Sequence, residues 1–319
     1  MDKKKVLILK PLYEQNSPTG CKMLRDKGYE LIFNPLLWDY TLEQTIAACG
    51  DVDGVIADSE PWCEETLAAA PKLKVIARYG TGMNTVDVDA CRRHGVIVTN
   101  CPGLNANTVA EHTTALLLSA VKQIPFFDAS TRKGQWDRRM SREISDMTIG
   151  ILGFGNIGQK VARKLSGFGC RLIAYDAFPN SKAAEEIGAK LVPQETIFKE
   201  SDVICIHVPL LPETEHLIST DNINKMKDGV IIVNTARGPI VDEKAVAAAL
   251  QSGKINAFAT DVFEKEPIAE DNPLRSMDNY ICTPHCAANT YEDYERTGIA
   301  TAQVIIDTFE GREPKNRRV

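Results

Sequence analysis

Short apolar runs alternate with stretches of helical periodicity along most of the chain. In the first third, residues 6–9, 31–33, 54–57, 75–77 and 96–98 read as strands. Between them, residues 20–27, 42–49, 63–70 and 85–94 place apolar side chains at helical spacing. Residues 105–122 form a longer helical pattern through Val109, His112, Leu116, Leu117 and Ala120, expected to lead from a first unit into a second. Residues 128–146, with Trp136 among them, are polar and without period. A second series of strands then follows at 149–152, 171–175, 203–207, 230–233, 257–260 and 280–282, and residues 290–309 make a closing helix. Residues 310–319 carry no core signal. Strands alternating with helices predict βαβ units and parallel sheets, here in two α/β units.

The stretch Thr148 to Gly158 organises the second unit. Ile149, Ile151 and Leu152 read as a buried strand; Gly153, Gly155 and Gly158 follow at G-x-G-x-x-G spacing; Val161, Ala162 and Leu165 then repeat as a helix. That order is the context a dinucleotide fingerprint requires. The first glycine permits a tight turn, the second lets backbone approach a pyrophosphate, and the third lets helix pack on strand. The helix start offers N–H groups and a positive dipole end to phosphate. The next strand ends in Asp176, ~20 residues on, where an acid holds the ribose hydroxyls of NAD and repels the 2′-phosphate of NADP.

Composition narrows the class. The chain has 319 residues, 44% of them hydrophobic and 25% charged, as in ordinary globular proteins. Its net charge of −6 argues against broad nucleic-acid binding. The apolar run after Lys3–Lys5 is too short for a signal-peptide core, and no run reaches membrane-spanning length. Nine scattered cysteines do not form a disulfide framework, so reduced thiols in a cytoplasmic setting are expected.

Three segments after later strands hold candidate chemistry, because ligands of open α/β sheets bind beyond the carboxyl ends of the strands. Arg237, in Asn234-Thr235-Ala236-Arg237-Gly238, has a planar fork that matches a carboxylate. Asp261 and Glu266 lie in the segment after 257–260, and His285 follows 280–282 as a candidate acid/base. Reduction of a 2-oxo acid by hydride needs a carboxylate clamp and a proton donor, and an acid beside an imidazole favours its charged form. Cys282, His285 and Cys286, with Cys205 and His207, have metal-like spacing, but their strand-end positions fit acid chemistry better, and no metal is expected.

At these residues the chain resembles the D-2-hydroxy-acid dehydrogenase family, which includes phosphoglycerate dehydrogenase and the glyoxylate/hydroxypyruvate reductases. The resemblance runs through Arg78-Tyr79-Gly80-Thr81-Gly82, Val109-Ala110-Glu111, Gly153 to Gly158, His207-Val208-Pro209, Asn234 to Gly238, Asp261 to Pro267 and Thr283 to His285. It implies two doubly wound parallel-sheet domains. A Rossmann coenzyme domain, about 101–286, would be inserted into a flavodoxin-like substrate domain of residues 1–100 and 287–319, with the active site in the cleft between them. It implies NAD as coenzyme and a small 2-hydroxy or 2-oxo acid as substrate. Arg237 would hold the carboxylate and polarise the carbonyl, His285 would exchange the proton, and Glu266 would pair with His285. Thr81 and Gly82 would grip the carboxylate through their backbone. Asp261 would meet the nicotinamide carboxamide. Thr108, Asn156, Ile157, His207, Pro209, Thr235 and Ala236 would lie along the coenzyme. A homodimer through the long helix and the arm after it is also implied, with no nucleic-acid or membrane partner.

The chain departs from the family pattern in places. Asp58-Ser59-Glu60 stands where phosphoglycerate enzymes carry an arginine, and two acids there are expected to repel a phosphate; a hydroxyl or cationic substituent could meet Asp58 instead. The end at Val319, without a regulatory domain, points the same way. Asp146-Met147 replaces the usual Gly-Lys, with no consequence expected, and Cys286 replaces an aliphatic residue. Two alternatives are an NAD(H)-sensing interaction protein of the co-repressor type and a formate-type or hydrolytic enzyme on a related fold. The second would not need His285 as an acid.

Overall fold

A computed structural model describes residues 3–34 and 40–319. The chain divides into two compact units, residues 1–105 with 289–319, and residues 106–288. The divisions fall at 105/106 and 288/289 rather than at 100/101 and 286/287. The first comes where the helix Ala106–Lys122 begins, and the second comes just before the helix Tyr291–Phe309.

The discontinuous unit is built on five strands, Lys5–Ile8 (β1), Glu30–Phe33 (β2), Gly54–Ala57 (β3), Val75–Arg78 (β4) and Ile97–Thr99 (β5). They are parallel, in the order β2-β1-β3-β4-β5, the flavodoxin-like arrangement. Successive residues face opposite sides. Leu7, Leu9, Val55, Ala57 and Ile76 join one apolar cluster, and Val6, Ile8, Ile56, Val75 and Ala77 join another. Burial on both faces is why these strands read as continuous apolar runs. The second cluster is completed by Tyr294, Ala302, Ile305 and Ile306 of the helix Tyr291–Phe309.

The inserted unit has seven parallel strands: Thr148–Leu152 (β6), Arg171–Tyr175 (β7), Lys190–Leu191 (β8), Val203–Ile206 (β9), Val230–Asn234 (β10), Ile255–Thr260 (β11) and Tyr280–Cys282 (β12). Their order is β12-β11-β10-β9-β6-β7-β8. Chain order reverses between β6 and β9, so the switch point of a doubly wound sheet lies at their carboxyl ends. Ile149, Ile151, Val203, Cys205, Ile231 and Val233 face one core, and Leu152, Ile204, Ile206, Ile232 and Phe258 face the other.

Two expectations fail. Residues 128–132 are not irregular, because a helix Ile124–Arg132 runs through them. Its N-terminal half carries Phe126 and Phe127, whose rings pack edge to face at 5.6 Å. Residues 317–319 are not a loose tail. Arg317 bridges Thr99 in the antiparallel sense, the Arg318 N–H donates to the Val98 carbonyl at 2.8 Å, and Val319 packs on the core. These residues cover the edge of β5, a long-range pairing that leaves no period in the sequence.

Candidate active site

The candidate residues of the inserted unit collect along the carboxyl edge of its sheet. Gly153 follows β6 with φ 99°, a left-handed conformation open to glycine. A side-chain carbon there would lie 2.6 Å from the His207 backbone at the end of β9. At Gly158 one would lie 2.1 Å from the Gly153 carbonyl oxygen, whereas at Gly155 it would meet nothing within 4 Å. One glycine thus serves the turn and the switch point, one serves helix–strand contact, and one leaves open approach to backbone. The helix Asn156–Ser166 starts there with no side-chain cap, so its first N–H groups face the space beyond Gly155.

Asp176 ends β7. Its carboxylate accepts the Phe154 N–H at 2.6 Å and the Phe178 N–H at 2.8 Å. It thereby ties the glycine turn to its own loop. A shallow cavity of ≈ 240 Å³ opens beside it, lined by Tyr175, Asp176, Pro179, Val192 and Pro193. A carboxylate next to apolar walls suits a flat heterocycle carrying a diol, and the edge as a whole fits a dinucleotide. His207, at the switch point, is pulled down to about 3 by burial. Neither ring nitrogen has a hydrogen-bond partner, so the imidazole is neutral at working pH.

The loop after β10 is shaped by Asn234. Its side-chain amide donates to the Arg237 carbonyl at 3.0 Å, and its Oδ1 accepts the Ala236 N–H at 3.0 Å. Thr235 shares a 2.7 Å hydroxyl contact with Thr113 of the long helix. A side chain at Gly238 would fall 1.8 Å from the Phe263 carbonyl oxygen. Glycine is what allows the Arg237 loop to pass close against Phe263 and Glu264.

His285 lies on the turn after β12 with φ 50°, a conformation uncommon outside glycine. Asp261 holds that turn. Almost fully buried, its carboxylate accepts the Thr283 hydroxyl at 2.5 Å, the Cys286 N–H at 2.9 Å and the Ala287 N–H at 2.8 Å. His285 Nδ1 is 2.7 Å from Glu266 Oε2, and Glu266 Oε1 accepts the Phe263 N–H at 3.1 Å. Burial opposes ionisation of Glu266. The hydrogen bond and charge of His285 outweigh it, with the Phe263 N–H and the Arg237 charge adding to them, and hold the carboxyl below the usual range. Nδ1 engaged with a carboxylate leaves Nε2 as the nitrogen that can exchange a proton.

The structure therefore brings Arg237, Glu266 and His285 into one electrostatic group, with Asp261 behind the His285 turn. Thr108 is buried near the start of the helix Ala106–Lys122, and Pro209 is exposed beyond His207. Thr81 and Gly82 belong to the other unit, on the loop after β4. The Thr81 hydroxyl donates to the Cys101 carbonyl at 3.2 Å, and the Thr81 carbonyl accepts the Asn100 amide at 2.8 Å. Cys282, His285, Cys286, Cys205 and His207 do not converge as ligands. Among the described residues the converging group is His112, Asp261 and Cys286.

Two further departures from the sequence reading concern residues 58–60 and His112. Asp58 and Glu60 do not form a bare acidic pair. Asp58 pairs with Lys10 at 3.2 Å and Arg78 at 3.5 Å. Glu60 is buried, accepting the Asp58 N–H and the Trp62 indole N–H at 3.0 Å. The expected repulsion of a phosphate loses its basis, because strands distant in sequence supply cations to Asp58. His112 reads in the sequence as one more position on an apolar face, yet its Nε2 lies 2.9 Å from the Thr283 hydroxyl.

Similarity to known proteins extends over nearly the whole chain. Residues 114–287 match the family model for the D-isomer specific 2-hydroxyacid dehydrogenase, NAD binding domain. A D-3-phosphoglycerate dehydrogenase of Archaeoglobus fulgidus is 38% identical over 315 residues, covering 98% of this chain and 58% of its own length. The chain thus spans under two thirds of that relative. A glyoxylate reductase of Korarchaeum cryptofilum is 37% identical, with 81% of this chain and 80% of the relative covered. A D-lactate dehydrogenase of Aquifex aeolicus, solved with NAD and lactic acid, superposes with a TM-score of 0.84 at 30% identity, covering 97% of this chain and 96% of that one.

Proposed function

The chain belongs to the D-isomer-specific 2-hydroxyacid dehydrogenase family, and from that membership we propose that it is an NAD-dependent oxidoreductase interconverting a small D-2-hydroxy acid and its 2-oxo acid. The observation that carries this reading is the 2.7 Å contact of His285 Nδ1 with Glu266, a carboxylate held ionised beside Arg237. When bound, the coenzyme supplies or accepts the hydride. The Arg237 guanidinium takes the substrate carboxylate in its planar fork and draws charge from the neighbouring carbonyl. His285 Nε2 donates a proton to the oxygen that becomes the hydroxyl, and takes it back in the reverse direction. Glu266 fixes the ring and compensates the charge it carries. Asp261 keeps the His285 turn in place and offers its carboxylate to the carboxamide. Gly153, Gly155, Asn156, Ile157 and Gly158 receive the pyrophosphate, Asp176 receives the ribose, and Thr108, His207, Pro209, Thr235 and Ala236 line the remaining path. In the other unit, the Thr81–Gly82 backbone offers N–H groups to a carboxylate.

Relatives named for phosphoglycerate, glyoxylate, hydroxypyruvate and lactate chemistry support a short 2-hydroxy acid as substrate. The paired state of Asp58 keeps phosphorylated acids among the candidates. Trp136 and Met140, 83% and 89% exposed on the segment after the helix Ile124–Arg132, support a homodimer through that arm. The nine cysteines are free, which supports a reducing, cytoplasmic setting. Oxidation of NADH against glyoxylate, hydroxypyruvate, pyruvate and phosphohydroxypyruvate tests the reading, with His285→Ala as control. Turnover with one of these acids should fall by about 10²–10⁴ in the variant. Tight NADH binding with no turnover on any acid would favour a sensing protein.

A further inference from the structure

Three ligand-type atoms from three different elements converge in the inserted unit. His112 projects from the helix Ala106–Lys122, Asp261 from the end of β11, and Cys286 from the turn after β12. His112 Nε2, an Asp261 carboxylate oxygen and Cys286 Sγ all lie within 4.8 Å of one another. Two ligands on a tetrahedral zinc ion stand about 3.3–3.6 Å apart, given bond lengths of ~2.0–2.3 Å. Modest side-chain rotations therefore close the group around one ion.

A second observation points to a cation. Asp261 is 1% exposed, and among the described residues no lysine or arginine pairs with it; the imidazole of His112 lies 3.6 Å from its carboxylate. Its other partners are neutral donors, the Thr283 hydroxyl and two backbone N–H groups. A buried carboxylate without a lysine or arginine beside it stays short of positive charge. Oδ2 accepts one backbone N–H, which leaves it a lone pair for a metal. The three donors, one imidazole, one carboxylate and one thiolate, are those a borderline-soft divalent ion takes together.

We propose that His112, Asp261 and Cys286 form a binding site for a borderline-soft divalent cation such as zinc, and that an ion there excludes the nicotinamide end of the coenzyme. Binding replaces the hydrogen bond between His112 and Thr283 with a metal–Nε2 bond, the ring proton moving to Nδ1. It forms a metal–sulfur bond as the Cys286 thiol proton leaves to solvent. Metal-bound waters leave in the same step. Cys286 sets this chain apart, since an aliphatic residue at that place would supply two ligands and no site. The exclusion of coenzyme rests on the reading of Asp261 as the carboxamide contact; the site itself does not.

Cobalt(II) tests the two parts separately, because cobalt–thiolate ligation gives a near-ultraviolet charge-transfer band. Added to the full chain, cobalt should produce that band. Cys286→Val, which keeps the backbone N–H that Asp261 uses, should abolish it. His112→Gln should weaken cobalt binding at least tenfold. NADH should suppress the band, and zinc should raise the apparent Kd for NADH in the wild type but not in Cys286→Val. Absence of the band in the wild type, or its persistence in Cys286→Val, would overturn the site. Cobalt and NADH bound together with neither affecting the other's affinity would overturn the exclusion. None of these readouts uses turnover, so a failed dehydrogenase assay would leave them intact.

Discussion

Both carboxylate oxygens of Glu266 are engaged, one by His285 and one by the Phe263 N–H, although the side chain is about one third exposed. Its carboxyl lies below the ordinary value, so the ionised carboxylate contributes stability above the unfolded-state pKa of about 4.3. That contribution is lost as pH falls through the folded-state value. Glu266→Gln should therefore be less stable than the wild type near neutrality, with the difference in Tm shrinking on acidification. A difference that stays constant with pH would show that the charge is not the cause. The same variant should lower kcat/KM by roughly 10²-fold, as when an orienting acid is taken from a catalytic imidazole. Arg237 acts on a different atom. Arg237→Ala should raise KM for the 2-oxo acid and lower kcat, while NADH affinity measured by fluorescence stays within about twofold. Parallel loss of NADH binding would move Arg237 out of the substrate clamp. Arg237→Lys should recover little, because a point charge cannot reproduce the two-pronged match.

The elements carrying these residues were legible in the sequence wherever both faces of a strand are buried. Residues 149–152, 203–207 and 230–233 announce β6, β9 and β10 as apolar runs, and the glycine spacing announces the turn at Gly153. What sequence patterning missed depends on contacts across distance. Lys190–Leu191 is too short to show a period, and Arg317 finds Thr99 only in the folded unit. Asp58 and Glu60 read as a bare acidic pair until Lys10, beyond β1, and Arg78, at the end of β4, reach Asp58. His112 reads as helix packing until β12 presents Thr283 to it. Gly238 is a similar case, since its spacing says loop and only the fold puts Phe263 against it. Gly238→Ala has no room at 1.8 Å from backbone oxygen, so the loop must shift. About 1–3 kcal/mol of destabilisation is expected from such overpacking. Activity should fall further than stability alone explains, because Arg237 moves with the loop. Equal kcat/KM in folded Gly238→Ala and wild type would show that the loop tolerates the displacement.

At the scale of the molecule, the unit made from two chain segments differs in kind from the inserted one. The inserted unit draws both of its cores from residues 106–288. The other unit depends on a helix that arrives nearly 200 residues after its last strand. Tyr294, Ala302, Ile305 and Ile306 cover Val6, Ile8, Ile56 and Val75, and Gly298 lets the helix sit close to Tyr13 and Ser17. The Tyr13 hydroxyl donates to the Gly298 carbonyl at 2.9 Å, and the Ser17 hydroxyl donates to the Tyr294 carbonyl at 2.7 Å. Ending the chain after Ala288 removes that cover and leaves one face of the five-stranded sheet open to water. Each large apolar side chain so exposed forfeits about 1.5–3 kcal/mol, and a handful of them exceeds what a marginally stable domain holds in reserve. Residues 3–105 of the shortened chain should then be cut rapidly by protease throughout, while residues 106–288 remain resistant and gain further protection from NADH. Protease resistance of residues 3–105 without the helix would mean that its five strands form a stable core unaided. Loss of NADH protection along with them would mean that the inserted unit depends on the other for its own fold.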